Sequence, residues 1–260
     1  SVAAALSIAA CQLAPAGLIG WWPGDGNARD LVGTNHGVLE KGATATASGM
    51  VGLAFHFDGT DDDMEVADSP DLATDASFTV VTWVKPTVPL SQQTTWARLV
   101  DKYYLGTSSL GRRGWALFTS GNYAAEPGRL KFEVADGTGT SSGGWMDTIT
   151  VGGNLAPIDR WTHVAGVYDR RAGTLCLYVN GLVQAQRVIG TYGAAVTSTP
   201  LRFGCDSVLA SRFKGDLDEG ELFRRALSAE EIAALCAAAW AGLCKYRIPP
   251  LILAQPRSAT

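Results

Sequence analysis

Trp161-Thr-His-Val-Ala-Gly-Val-Tyr-Asp169 and Gly173-Thr-Leu-Cys-Leu-Tyr-Val-Asn-Gly181 stand almost back to back, joined by Arg170-Arg171-Ala172. Apolar and polar residues alternate along both stretches, the pattern of strands with one buried face. Asn180-Gly181 lies between Val179 and Leu182. That dipeptide is the strongest short hairpin signal, because both central residues of a type I′ turn need positive φ. The sequence therefore predicts an antiparallel hairpin in a chain built largely of such strands. Cys176 sits between Leu175 and Leu177, so its side chain points to the opposite sheet face, where it acts as a small hydrophobe.

Working outward, Leu18 to Trp22, Ala54 to Phe57 and Ser77 to Lys85 read as strands; the second ends at Asp58-Gly59 and the third at Pro86. Further strands are expected at Arg98 to Lys102, Trp115 to Thr119, Arg129 to Val134, Thr148 to Val151, Leu182 to Arg187, Leu201 to Phe203 and Phe213 to Phe223. Turn residues separate nearly all of them, as in a sandwich or barrel. One helix stands out. Ser228-Ala-Glu-Glu231 is a capping box, and Ile232, Leu235 and Ala239 follow at helical spacing. The tail from Lys245 holds three prolines and no periodicity, which reads as extended or as the start of a linker.

The 260 residues are 47% hydrophobic, enough for one large domain with a substantial core. Net charge is −4 and no basic run occurs, which argues against a nucleic-acid partner. No apolar run reaches the roughly 18 residues of a membrane span. Ser1 to Cys11 is apolar and Ala-rich, like the trailing part of an export signal, and Ile8-Ala-Ala-Cys11 is similar to a lipoprotein box. Cysteines number five, with no Cys-x-x-Cys pair, so a zinc site is not expected. A Cys11–Cys244 bridge would tie the two ends of the domain; lipidation of Cys11 would exclude it.

Several segments together resemble the concanavalin A-like, laminin G-like jelly-roll family. They are Gly17-Leu-Ile-Gly-Trp-Trp-Pro-Gly-Asp-Gly-Asn-Ala-Arg-Asp30, Gly52-Leu-Ala-Phe-His-Phe-Asp-Gly59, Phe78-Thr-Val-Val-Thr-Trp-Val84, the hairpin quoted above, Gly215-Asp-Leu-Asp-Glu219, Arg225-Ala-Leu-Ser-Ala-Glu-Glu-Ile232 and Ala241-Gly-Leu-Cys-Lys245. The resemblance covers residues 17–244 in the family's order. It implies an all-β fold: a two-sheet antiparallel jelly-roll sandwich with one short C-terminal helix. Residues 1–16 are then a leader and 245–260 a tail. Two places, three residues in all, depart from the family pattern. Asp63-Met64 replaces an aromatic and a β-branched residue, and Gly220 replaces a β-branched one. Both changes weaken a strand locally.

The fold hosts lectins, adhesion modules and glucanases, so function must come from a site. A glucanase needs two carboxylates flanking the scissile bond. Glu219 and Glu221 come nearest, but Gly220 stands between them where an Asp would help separate two pKa values. Gly139-Thr-Ser-Ser-Gly143 matches a nucleophile elbow in a loop that lacks the flanking strand and helix. His36, His56 and His163 are scattered. Calcium wants six to eight oxygen ligands. Asp25, Asn27 and Asp30 offer three on a glycine-rich loop, and the resemblance implies that Asp218 approaches them; ordinary turn-forming Asx residues are the competing explanation. Asp58, Asp61, Asp62, Asp63 and Asp68 form a second acidic group. For a glycan, stacking aromatics on loops are wanted: Trp96, Tyr104, Tyr123, Trp145 and Tyr192, with Tyr103 beside them, whereas Trp21, Trp83, Trp115 and Trp161 belong to strands. The expectation is a non-catalytic binding or adhesion module of an exported protein, extracellular or at the cell surface. Its partner would be a glycan or an extracellular protein, and one structural calcium is expected. A protein-adhesion or spacer domain is the alternative, and a glucanase-type glycoside hydrolase the remaining one.

Overall fold

A computed structural model of the chain describes residues 12–13, 16–105, 111–137, 146–151, 155–190, 193–240 and 246–247. The strands are β1 (Gln12–Leu13), β2 (Leu18–Trp22), β3 (Gly37–Glu40), β4 (Thr44–Ser48), β5 (Leu53–Asp58), β6 (Asp63–Val66), β7 (Phe78–Pro86), β8 (Arg98–Tyr104) and β9 (Arg113–Thr119). They continue with β10 (Leu130–Asp136), β11 (Met146–Val151), β12 (Thr162–Asp169), β13 (Thr174–Val179), β14 (Leu182–Val188), β15 (Leu201–Phe203), β16 (Lys214–Phe223) and, after the helix α1 (Ala229–Trp240), β17 (Tyr246–Arg247). Asn180 and Gly181 take φ of 50° and 78°, and Val179 pairs with Leu182 across the turn. The hairpin is therefore β13–β14, with β12 antiparallel on its other side.

Two sheets form the body. One has seven strands in the order β11-β10-β9-β8-β15-β6-β3. The other has eight: β14-β13-β12-β7-β16-β5-β4, with β2 beside β16. Long β16 pairs with β5 over Lys214–Leu217 and with β2 over Gly220–Phe223. Between the sheets lies one core that includes Trp22, Phe55, Phe57, Phe78, Trp115, Phe132, Tyr168 and Phe203. Leu175 and Leu177 join it, while Cys176 faces the opposite side with Tyr178 and Trp21. The eight-stranded sheet is covered on that opposite side by α1, whose Ile232 and Leu235 pack with Trp21, Val81 and Phe223, and whose Cys236 and Ala239 pack with Trp83. The parallel pair β1–β17 joins short segments from the two ends of the chain. Cys11 and Cys244 lie outside the described residues; Cys176, Cys205 and Cys236 are thiols.

Both departures from the family pattern have a local reason. Met64 is buried in the core, and Asp63 beside it is buried against Arg202 and Arg212, so β6 forms. In β16 the register slips between Asp218 and Glu221, with Glu219 at φ 53°. The slip points Gly220 at the core, where a Cβ would stand 2.4 Å from the Phe203 ring. Glycine is the residue that fits.

Candidate functional site

The side of the seven-stranded sheet turned away from the sandwich core is where the polar chemistry collects. In β9, Trp115 and Leu117 face the sandwich core, while Ala116 and Phe118 face the other way. In β10 the core side takes Leu130, Phe132 and Val134. Alternation therefore sends Lys131 and Glu133 outward. Register lines up Arg202, Asp101, Ala116 and Glu133 on four successive strands. One row along, Arg98 lies opposite Phe118, and Phe118 opposite Lys131.

These outward residues are nevertheless buried: Arg98, Asp101, Tyr103, Phe118, Lys131 and Glu133 are all at most 6% exposed. Burial has electrostatic consequences. It pushes the Asp101 carboxyl up to about 7, helped by the nearby Asp206 and Glu133 carboxylates and opposed by Arg98. The Tyr103 hydroxyl is raised by burial and by its hydrogen bond to Glu133. Arg98 stacks its guanidinium 4.4 Å from the Phe118 ring centre and 5.7 Å from Tyr103.

Beside them a cavity of about 350 Å³ is lined by Trp96, Arg98, Leu105, Arg112, Phe118, Lys131 and Glu133. Trp96 forms its rim, packed edge-on against Phe118 and tilted 35° to Tyr123 at 4.7 Å between ring centres. Tyr123 is 41% exposed, so the pair presents an aromatic surface to solvent. Lys131 lies 5.7 Å from the Trp96 ring centre, donates to Thr150 Oγ1 at 2.9 Å, and pairs with Glu126.

Of the five expected stacking aromatics, the structure brings together Trp96 and Tyr123. Tyr104 lines a separate cavity of about 450 Å³ with Asp68, Arg113 and Thr197. Trp145 and Tyr192 lie outside the described residues, as does Gly139 to Gly143. The expectation that Tyr103 and Tyr104 are loop aromatics is corrected: both belong to β8, where Tyr103 is buried and Tyr104 is the last residue of the strand. Sequence reading passed over Arg98, Arg112, Lys131 and Glu133. A charge alternating with apolar residues along a strand ordinarily marks a solvated face, and only the packing shows it covered.

The acidic residues expected to hold calcium serve the backbone. Asp25 Oδ1 accepts from Leu53 N at 2.8 Å, and Asp218 Oδ2 accepts from Met50 N and Val51 N at 2.7 and 3.1 Å. Both carboxylates hold amides of the 49–53 turn. Asn27 Oδ1 accepts from Arg29 N, while Asp30 takes the amides of Trp21, Val32 and Asn35. Among the described residues, three carboxylates gather only at Asp58, Asp61 and Asp62. There Asp62 also accepts from Gly42 N and Asp58 N. Asp68 is drawn away by Lys102 at 2.6 Å. The glucanase-type pair is equally committed: Glu219 accepts from Trp21 Nε1 at 2.7 Å, and Glu219 and Glu221 are both buried. His56 meets Asp216 at 2.6 Å, His36 accepts from Asp30 N, and His163 is buried against Trp83.

Two packed antiparallel sheets with one short helix define a jelly-roll sandwich. The chain belongs to the concanavalin A-like lectin/glucanases superfamily, whose laminin G family model matches residues 58–233. No curated protein sequence matches it. Among solved structures, it is similar to the binding domain of Paraclostridial Mosquitocidal Protein 1, at 15% identity and a TM-score of 0.65 over 85% of this chain. The botulinum neurotoxin serotype D binding domain follows at 14% and 0.64, again over 85%. The chain spans about half of these two toxin domains, 52% of each. Domain 4 of AbnA, an extracellular arabinanase of Geobacillus stearothermophilus solved with arabinotriose, is similar at 18% identity and a TM-score of 0.57, covering 83% of this chain and 96% of that domain. At such identities the likeness is one of fold. Among the described residues no helix is long and apolar enough to cross a membrane.

Proposed function

We propose that this domain is a non-catalytic carbohydrate-binding module of an exported protein. The observation that carries the reading is the Trp96–Tyr123 aromatic pair at the mouth of a cavity walled by buried charged side chains. Sugar rings stack on such faces, and convergent polar groups fix their orientation. A glycan array probed with the purified full chain tests it. Saturable binding is expected, weakened at least about tenfold by Tyr123→Ala. A blank array would overturn the reading in favour of a protein-adhesion or spacer domain. A structural calcium held by Asp25, Asn27, Asp30 and Asp218 is a subsidiary proposal; unchanged thermal stability in EDTA would sink it.

A further inference from the structure

Arg98 is the odd member of the outer face. It is 5% exposed. Its Nε lies 3.3 Å from Asp101 Oδ2 without hydrogen-bond geometry, and its Nη1 has no hydrogen-bond partner among the described residues. Buried donors are normally satisfied, and an unmade bond to a charged donor is costly. The guanidinium is nevertheless held rigidly in place by Phe118 and Tyr103, and it lines the cavity whose rim is Trp96. Arg112 and Lys131 stand on the same wall. The negative groups around this wall are Glu133 on β10, Glu126 paired with Lys131, and Asp101 beside Arg98, with Asp206 close to Asp101.

We propose that this cavity recognises the carboxylate of an acidic sugar, with Arg98 as the central donor and the Trp96–Tyr123 pair stacking the sugar ring. The proposal rests on the carbohydrate-binding reading and names its ligand class. A planar guanidinium whose buried Nη1 finds no hydrogen-bond acceptor among the described residues has the fork geometry that matches a carboxylate's two oxygens, which a hydroxyl cannot do. The ligand's carboxylate satisfies Nη1 and competes with Asp101 for Nε. Lys131 and Arg112 stand beside Arg98 but are set against the Glu133 and Glu126 carboxylates, so recognition of the acidic group falls on Arg98 itself and not on a net positive wall.

The test compares matched pairs: an oligogalacturonide and its carboxyl-reduced neutral counterpart, and a glucuronate-containing oligosaccharide and its reduced form. Titration calorimetry with the wild-type full chain should show the acidic member binding at least about tenfold tighter. Arg98→Gln should bring that ratio close to one. If that variant fails to fold, Lys131→Gln keeps the question answerable, because its ion pair lies at the cavity edge and the ratio should still shrink several-fold. Equal affinity for acidic and neutral members overturns the carboxylate site and leaves carbohydrate binding standing. Binding to neither member of either pair, with a blank neutral array, overturns both.

Discussion

Gly220 shows how one residue records the packing around it. The family pattern favours a β-branched residue there, yet the bulge in β16 turns this position onto Phe203, which also packs against Trp22 and Phe55. A small residue on one strand thus answers a large one on the opposite sheet. Gly220→Val should destabilise the fold by about 1–3 kcal/mol through overpacking. In urea this would appear as a lower midpoint at an unchanged m-value. Phe203→Leu in the same chain should recover part of that loss, because the two side chains share one space. Additive losses in the double variant would show that the Phe203 ring is not what excludes a side chain. From sequence, Gly220 reads as a weakened strand; the compensating ring lies on a strand 17 positions earlier in the chain, and nothing local announces it.

Elements were legible to the degree that their signals are local. Asn180-Gly181 gave its turn because the backbone requirement sits in the two residues themselves. The capping box gave α1 for the same reason: Glu231 N donates to Ser228 Oγ at 3.3 Å, and Ser228 N donates back to Glu231 Oε2 at 2.9 Å. Strands β3, β4 and β6 escaped the periodicity reading. Gly37–Glu40 and Thr44–Ser48 carry few apolar residues and lie at or near sheet edges, so they lack an alternating pattern. The box is reinforced by Arg225, which donates to both Glu231 oxygens at 2.6 and 2.8 Å and holds its carboxyl down at about 2. Because the folded value lies below the ordinary 4.5, this contribution is present above pH 4.5 and lost as the pH falls through 2. Ser228→Ala should cost about 1 kcal/mol at neutral pH, read from thermal unfolding. An unchanged Tm would show that α1 is held by its packing on Trp21 and Trp83 alone.

At the scale of the whole molecule, a jelly roll has two outer faces, and this chain covers them differently. The eight-stranded sheet is sealed by an amphipathic helix with apolar side chains. The seven-stranded sheet instead buries a row of charges. The first covering could be read from the spacing of Ile232, Leu235 and Ala239. The second could not, because Lys131 and Glu133 alternate with core residues as solvated positions do, and Arg98 and Asp101 flank Leu99-Val100 across a register slip. What decides their environment is the closeness of distant segments around Trp96, Arg112 and Tyr123. That burial should govern the pH dependence of the fold. Asp101 titrates at about 7 in the folded protein, against 3.8 when unperturbed. A carboxyl raised on folding binds its proton more tightly in the native state. Its contribution is therefore complete below pH 3.8 and is lost as the pH rises through 7. Glu231 is already fully ionised above pH 5 and adds no slope there. Between pH 5 and 8 the stability of the wild-type chain should accordingly fall, by at most about 1.4 kcal/mol per pH unit below 7. Asp101→Asn cannot ionise, and the slope should flatten in that variant while Arg98 keeps an acceptor oxygen beside it. Urea unfolding at closely spaced pH values measures both chains. An identical slope in the two would mean that the Asp101 carboxylate is stabilised by Arg98 as fully as water would stabilise it. Arg98 would then be committed to its own sheet, with less left to offer a ligand.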